Sequence, residues 1–312
     1  MGIRMRTLSD IHDILNRFKF SEINAHVHTH LCDGKSDMTV ANIAACAERL
    51  GIRLIVLTPH FHKKVSDATA TLYEDTDEEI FLRLREEIDA YQKEWDSRVK
   101  FLLSTETDIL NANGDLSLKI SKEAEAAIDF ITMAVNYHPL LPLKAVEVTS
   151  SRSIAQIHDS GEYLNYVNKI GTISDVLETL YETEVNAIQK APYPAMLGHF
   201  FAAHSIVKGK YNWFGASKEH MALMKKGSER IISACKETGT IVDITGIHCG
   251  NKSIAEKSKE DGFFYDFQKW FVDECRKKNI TMVSGGDTHS LDNLSGSLYY
   301  KIFERKKRDD TL

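Results

Sequence analysis

Seven short apolar runs in this 312-residue chain each lead into a histidine or a carboxylate. Ile23 to Val27 carries into His26 and His28, and Ile52 to Thr58 into His60. Val99 to Ser104 precedes Glu106, and Phe130 to Val135 precedes His138. Met196 to Gly198 precedes His199, Thr240 to Thr245 precedes His248, and Ile280 to Ser284 precedes Asp287 and His289. Runs as apolar as I-R-L-I-V-L-T are what strands of a parallel sheet look like when both faces are covered. Helical patterns separate them, over 38–50, 78–95, 121–127, 174–190, 218–238 and 267–278. Strand then helix, about seven times, predicts a parallel α/β barrel or a doubly wound sheet. The polar residues at the strand ends favour the barrel, whose carboxyl-terminal strand ends converge on one face that holds the active site.

The first run also sets local geometry. Residues two apart on a strand share a face, so His26 and His28 point the same way. Asp33-Gly34 follows as a turn, and Asp37 or Ser36 is placed to cap the helix that stops at Gly51. Upstream, Leu8, Ile11, Ile14, Leu15 and Phe18 recur at helical spacing, predicting an amphipathic helix over 7–20. The expected organisation is an N-terminal helical extension, 1–20, and a barrel domain, 21–312, with an insertion around 140–190. A helical tail is expected over 294–308.

Composition narrows the function classes. Lys and Arg number 39 against 45 Asp and Glu, a net charge of −6. An acidic balance gives no general attraction for nucleic acid and argues against it as a partner. The five cysteines are odd in number and contain no Cys-x-x-Cys, which suits a reducing cytoplasm better than a disulfide framework or a thiolate zinc site. No signal-peptide core and no apolar run of membrane-spanning length is present, so a cytoplasmic protein with no membrane partner is expected. Oligomeric state is not legible.

Nine residues fall at the expected strand ends: His26, His28, Asp33, His60, Glu106, His138, His199, Asp287 and His289. Six are imidazoles and three are carboxylates. One ion takes four to six ligands, so nine converging ligands imply more than one ion. Mixed imidazole and carboxylate suits Zn, Mn or Fe and suits Ca²⁺ or Mg²⁺ alone poorly. Each motif alone has an ordinary alternative: strand histidines are often structural, Asp-Gly is a common turn, and Glu106 could cap a helix. Nine such coincidences at strand ends make the joint alternative poor.

In their order, His26-Val27-His28, Asp33-Gly34, Thr58-Pro59-His60, Glu106, His138, His199 and Asp287-Thr288-His289 resemble the PHP (polymerase and histidinol phosphatase) superfamily. The resemblance covers about residues 21–292. It departs at Thr58-Pro59-His60, where the superfamily commonly has Thr-Asp-His, which bears on the subfamily and leaves the metal position intact. It implies a distorted (β/α)7 barrel holding two or three divalent transition-metal ions. His26, His28, Glu106 and Asp287 would hold one ion. Glu106 would bridge to a second, completed by His138 and His199, and Asp33, His60 and His289 would hold a third. The implied activity is hydrolysis of a phosphate monoester of a small organic molecule, histidinol-phosphatase-like, by attack of a metal-bridging hydroxide. Glu106, Asp287 and His289 are the candidate catalytic residues. A nuclease or protein-tyrosine phosphatase on the same site is the alternative. An amidohydrolase is disfavoured because no lysine ends a strand, and a catalytically dead regulator is disfavoured by the intact ligand set.

Lys63, Arg152 and His248 are the candidate substrate-binding residues, with Lys64, Lys208 and Lys210 as further cations to weigh for phosphate contact. His30, His62 and His204 lie near the expected active face. His12, His158 and His220 read as solvated surface residues. Trp213-Phe214 reads as a core or lid contact, and the basic run 301–308 as charge suited to a helix C-terminus.

Overall fold

The computed structural model describes residues 6–61, 76–94, 98–135, 173–201, 218–244 and 262–303. Among these residues eight strands are defined: β1 (Ile23–Val27), β2 (Leu54–Leu57), β3 (Lys100–Leu103), β4 (Glu106–Asp108), β5 (Ile131–Ala134), β6 (Ala195–Leu197), β7 (Ile241–Asp243) and β8 (Met282–Val283). Seven helices accompany them there: α1 (Leu8–Leu15), α2 (Val40–Leu50), α3 (Glu79–Glu94), α4 (Lys122–Ala127), α5 (Ile173–Lys190), α6 (Lys218–Thr238) and α7 (Gly262–Lys277). The tail, expected to be helical, is a 3₁₀ helix over Leu291–Phe303, the last of the described residues.

All sheet neighbours are parallel, in a three-stranded sheet β1-β2-β3 and a five-stranded sheet β4-β5-β6-β7-β8. Only Ser104 and Thr105 separate β3 from β4, and they hydrogen-bond to both sheets, Ser104 N–H to Leu57 O at 2.8 Å and Thr132 N–H to Thr105 O at 2.7 Å. The other edges also meet. Ala25 N–H donates to Ser284 O at 2.8 Å, and His28 N–H to Thr288 O at 2.9 Å.

Alternation along the strands divides the core into two apolar layers. Ile55 and Leu57 of β2 pack with the helices, while Leu54 and Val56 join Ile23, Ala25, Leu102, Phe130, Met196, Ile241 and Val283 on the opposite face. That second layer also contains Ile11 and Leu15, so α1 covers strand surface that the other helices leave bare. Each fully buried aliphatic side chain contributes about 1.5–3 kcal/mol. α1 starts in a Thr7/Asp10 capping box.

Two local expectations are corrected. His12 is not a solvated surface residue: its Nε2 bonds Gly239 O at 2.8 Å and its Nδ1 bonds Thr281 Oγ1 at 2.7 Å, tying α1 to the entries of β7 and β8. Thr39, not Asp37 or Ser36, caps α2: it directly precedes the first helical residue, Val40, in extended backbone and accepts from Asn42 N–H. Gly51 ends α2 at φ 74°, as the expected left-handed stop.

The α5–α6 contact generates two predictions. A Cβ on Gly227 would overlap the ring of Tyr181, so G227A forces overpacking. It should cost about 1–3 kcal/mol, read as a lower midpoint in urea. On the same helix pair, Glu184 is 1% exposed and its Oε2 has no hydrogen-bond partner among the described residues. Burial holds its carboxyl well above the usual range, so the folded chain keeps a proton that the unfolded chain gives up. Stability then falls as pH climbs from the ordinary carboxylate value toward the raised one. Glu184→Gln should therefore raise Tm over the parent by little near pH 5 and by several degrees at pH 8.

Candidate metal centre

Parallel strands bring their carboxyl-terminal ends to one side, and the candidate ligands collect there. His26 is in β1 and His28 follows it. Both are fully buried, His26 within a strand buried throughout and His28 just past its end. His60 follows β2, Glu106 opens β4, His199 follows β6, and Asp287 and His289 follow β8. Eight of the nine candidate ligands converge in three groups whose ligating atoms lie within 4.8 Å of one another. These are His28, Asp33, His60 and His289; His26, His28 and Asp287; and His26, Glu106 and His199. His26 and His28 each border two groups.

Glu106 is at the middle. Its Oε2 lies 3.1 Å from His26 Nε2, 3.4 Å from His28 Nε2 and 3.2 Å from His60 Nδ1. Its Oε1 lies 2.6 Å from His199 Nε2. Asp287 Oδ1 is 3.2 Å from His28 Nε2 and 3.8 Å from His26 Nε2. Asp33 is more exposed, yet neither oxygen is turned away: Oδ1 is 3.0 Å from His28 Nδ1, and Oδ2 is 3.2 Å from His60 Nε2 and 2.8 Å from His289 Nε2. The His28 and His289 rings stack with centroids 4.0 Å apart.

The electrostatics are those of a cation site. Burial pushes Glu106 upward, but the imidazoles of His60, His26 and His199 outweigh it and hold the carboxyl well below the usual range. Asp33 and Asp287 are lowered in the same sense, burial again being overcome by neighbouring imidazoles. Burial lowers His60, but Glu106 and Asp33 carry it up to about 9. His26 and His289 are raised by their carboxylate neighbours against the same burial. An imidazole nitrogen and a carboxylate oxygen about 3 Å apart repel unless a proton or a cation stands between them. His28 sharpens the point: both ring nitrogens are buried, and each faces a carboxylate oxygen, Asp33 Oδ1 at 3.0 Å and Asp287 Oδ1 at 3.2 Å. The donor set fits divalent transition-metal ions.

Backbone strain marks two of these positions. His199 has φ 28° and Asp287 φ 45°, in the left-handed region that residues with a Cβ adopt rarely. Sequence reasoning misses one participant. Asp243, at the end of β7, is fully buried and bonds His26 Nδ1 at 3.1 Å. The available signal is a carboxylate inside an otherwise apolar run. His138, the candidate substrate contacts Lys63, Arg152 and His248, and Lys64, Lys208, Lys210, His62, His158, His204 and Trp213-Phe214 lie outside the described residues. His30 is half-buried, with Nδ1 3.3 Å from Met38 O and Nε2 3.5 Å from Glu87.

The carboxylates around His26, His60 and His289 favour protonated rings, whose protons a metal must displace. Zn²⁺ uptake by chelator-treated protein at pH 7 should therefore release protons, read by calorimetry in buffers of different ionisation enthalpy. Affinity should strengthen as pH rises toward the His60 value of about 9. Uptake without proton release would count against imidazole ligation. Zn²⁺ at a hundredfold over Kd should add about 2.7 kcal/mol of stability, an increment that His28→Ala reduces.

No family model matches the chain. A histidinol-phosphatase of Bacillus subtilis is 23% identical over 297 residues, spanning 90% of this chain and 98% of the relative. Among solved structures, histidinol phosphate phosphatase from Lactococcus lactis, complexed with zinc, L-histidinol and phosphate, superposes with a TM-score of 0.54 at 13% identity, covering 91% of this chain and 94% of that one. A histidinol phosphatase structure from Listeria monocytogenes superposes at 0.55 and 13% identity, covering 90% and 100%. In similarity along nearly its whole length and in its parallel α/β fold, the chain resembles these histidinol phosphatases.

Proposed function

We propose that this chain is a metal-dependent phosphoesterase that releases phosphate from a small organic phosphate ester of the histidinol phosphate type. The observation that carries the reading is the convergence of eight candidate ligands around the buried carboxylate of Glu106. The whole-length similarity to a histidinol-phosphatase supports the substrate class.

His26, His28, Asp33, His60, Glu106, His199, Asp287 and His289, with His138, would hold two or three ions of Zn, Mn or Fe. When bound, such ions lower the pKa of water and neutralise charge on phosphoryl oxygens. The protein's own contribution is largely electrostatic. Asp33, Glu106, Asp243 and Asp287 bring carboxylates to the site, and Asp108 adds to the negative field at His60. Divalent ions would offset that field and draw in a phosphate anion. Glu106, 1% exposed, lies on the inner side, while Asp33 and His289 stand at the exposed rim where a substrate would enter. Glu106, Asp287 and His289 are the residues proposed to act closest to the reacting phosphate, and Lys63, Arg152 and His248 to contact the substrate.

The hydrogen bonds joining both sheet edges support a closed, distorted (β/α)7 barrel in which β3 and β4 count as one strand. We propose the barrel domain as 21–312 with an insertion around 140–190, and 1–20 as its N-terminal extension. Among the described residues no helix is long and apolar enough to cross a membrane. Four free cysteines among them support a cytoplasmic setting.

Protein loaded with Mn²⁺ or Zn²⁺ should hydrolyse p-nitrophenyl phosphate and, faster, histidinol phosphate. Chelation should abolish turnover, and His26→Ala should reduce it at least about a hundredfold. Phosphotyrosine peptide and an oligonucleotide complete the panel, since Thr58-Pro59-His60 keeps the phosphotyrosine reading open. Preference for either polymer would transfer the assignment, and no hydrolysis of any ester by metal-loaded protein would refute it.

A further inference from the structure

Asp243 is fully buried at the end of β7, flanked by the equally buried Val242 and Ile244. One oxygen, Oδ2, serves two candidate ligands. It accepts from His26 Nδ1–H at 3.1 Å and from the backbone N–H of His199 at 3.1 Å. Because a carboxylate only accepts, the first bond holds the proton on His26 Nδ1 and leaves Nε2, 3.1 Å from Glu106 Oε2, as the nitrogen that would release its proton when a metal ion binds. The second bond anchors a strained turn, because His199 has φ 28°. From that turn His199 Nε2 reaches Glu106 Oε1 at 2.6 Å. A single carboxylate oxygen thus aligns imidazoles from two different strand ends on either side of Glu106. Asp243 itself lies outside the three groups of ligating atoms, so its place is behind the ligands.

Stability alone does not account for a carboxylate there. A fully buried charge is costly to desolvate, and well-packed apolar replacements of buried ionic groups are often neutral or stabilising. Resting on the metal-centre reading above, we propose that Asp243 is a positioning residue that sets the ion affinity of the His26–Glu106–His199 group by fixing the His26 tautomer and the His199 backbone.

The test compares full-length parent, Asp243→Asn and Asp243→Ala after chelation. Zn²⁺ affinity is read by competition with a chromogenic chelator, stoichiometry by elemental analysis, and fold by the Tm of the metal-free protein. Carboxylates behind histidine ligands typically matter 10–100-fold in metal affinity. Asp243→Asn, which keeps the shape and one acceptor oxygen, should lose about tenfold, and Asp243→Ala about a hundredfold. The Co²⁺-substituted proteins should differ in their visible ligand-field bands, which a purely structural role would leave unchanged. Should Asp243→Ala not fold, the isosteric Asp243→Asn decides. Affinity within twofold of the parent, with unchanged Co²⁺ bands, overturns the positioning role while leaving the metal centre standing. A parent that takes up no metal overturns both.

Discussion

Everything at the candidate site depends on one buried carboxylate. Glu106 is held among four imidazoles at 2.6–3.4 Å, from His26, His28, His60 and His199. Desolvating a carboxylate costs several kcal/mol unless opposite charge and hydrogen bonds offset it. Here the offset comes from side chains at three other strand ends, so the low energy of Glu106 requires β1, β2, β4 and β6 to be in register at once. The site and the fold are therefore coupled: a shift of one strand would strand a charge in the core.

The scaffold meets that demand by dividing labour along each strand. Alternate residues face two apolar layers, one against the helices and one closed by Ile11 and Leu15 of α1. Both faces being occupied, the ionisable candidate ligands collect at the strand ends, and polar groups within the strands, such as Thr132, are bonded to neighbours such as Ser104. His12 illustrates the opposite end, bonding Gly239 and Thr281 where β7 and β8 begin. The same residue type serves as a tie at one end of the strands and as a candidate ligand at the other, and only its depth and neighbours distinguish the roles. Exposure also grades across the site, from Glu106 within to Asp33 and His289 at the rim, which gives an incoming anion a defined side of approach.

Much of this architecture is legible in the residue pattern. Runs such as L-I-V-L are buried strands because their apolar content leaves no face for water, and the polar residue after each run has to sit at a strand end. The converging ligands follow from placing parallel strands side by side. Local detail is less legible. Thr39 rather than Asp37 caps α2, since capping depends on backbone direction at one residue and several adjacent residues have suitable side chains. The tail is helical as expected, but of the 3₁₀ type, a distinction that residue pattern does not carry.

Residue type and period by themselves determined the parallel α/β class, the buried strands and eight of the residues that meet at the site. Period is a local property, set by the φ/ψ geometry of each strand and helix, so a linear reading captures it. The tertiary structure alone decided which nitrogen meets which oxygen. His26 and Asp243 are 217 positions apart, and their 3.1 Å contact depends on strand order, register and twist accumulated across the sheet. His28 bordering two ligand groups, Asp33 turned toward three imidazoles and Asp243 behind two of them are outcomes of that long-range geometry, which no spacing along the chain encodes.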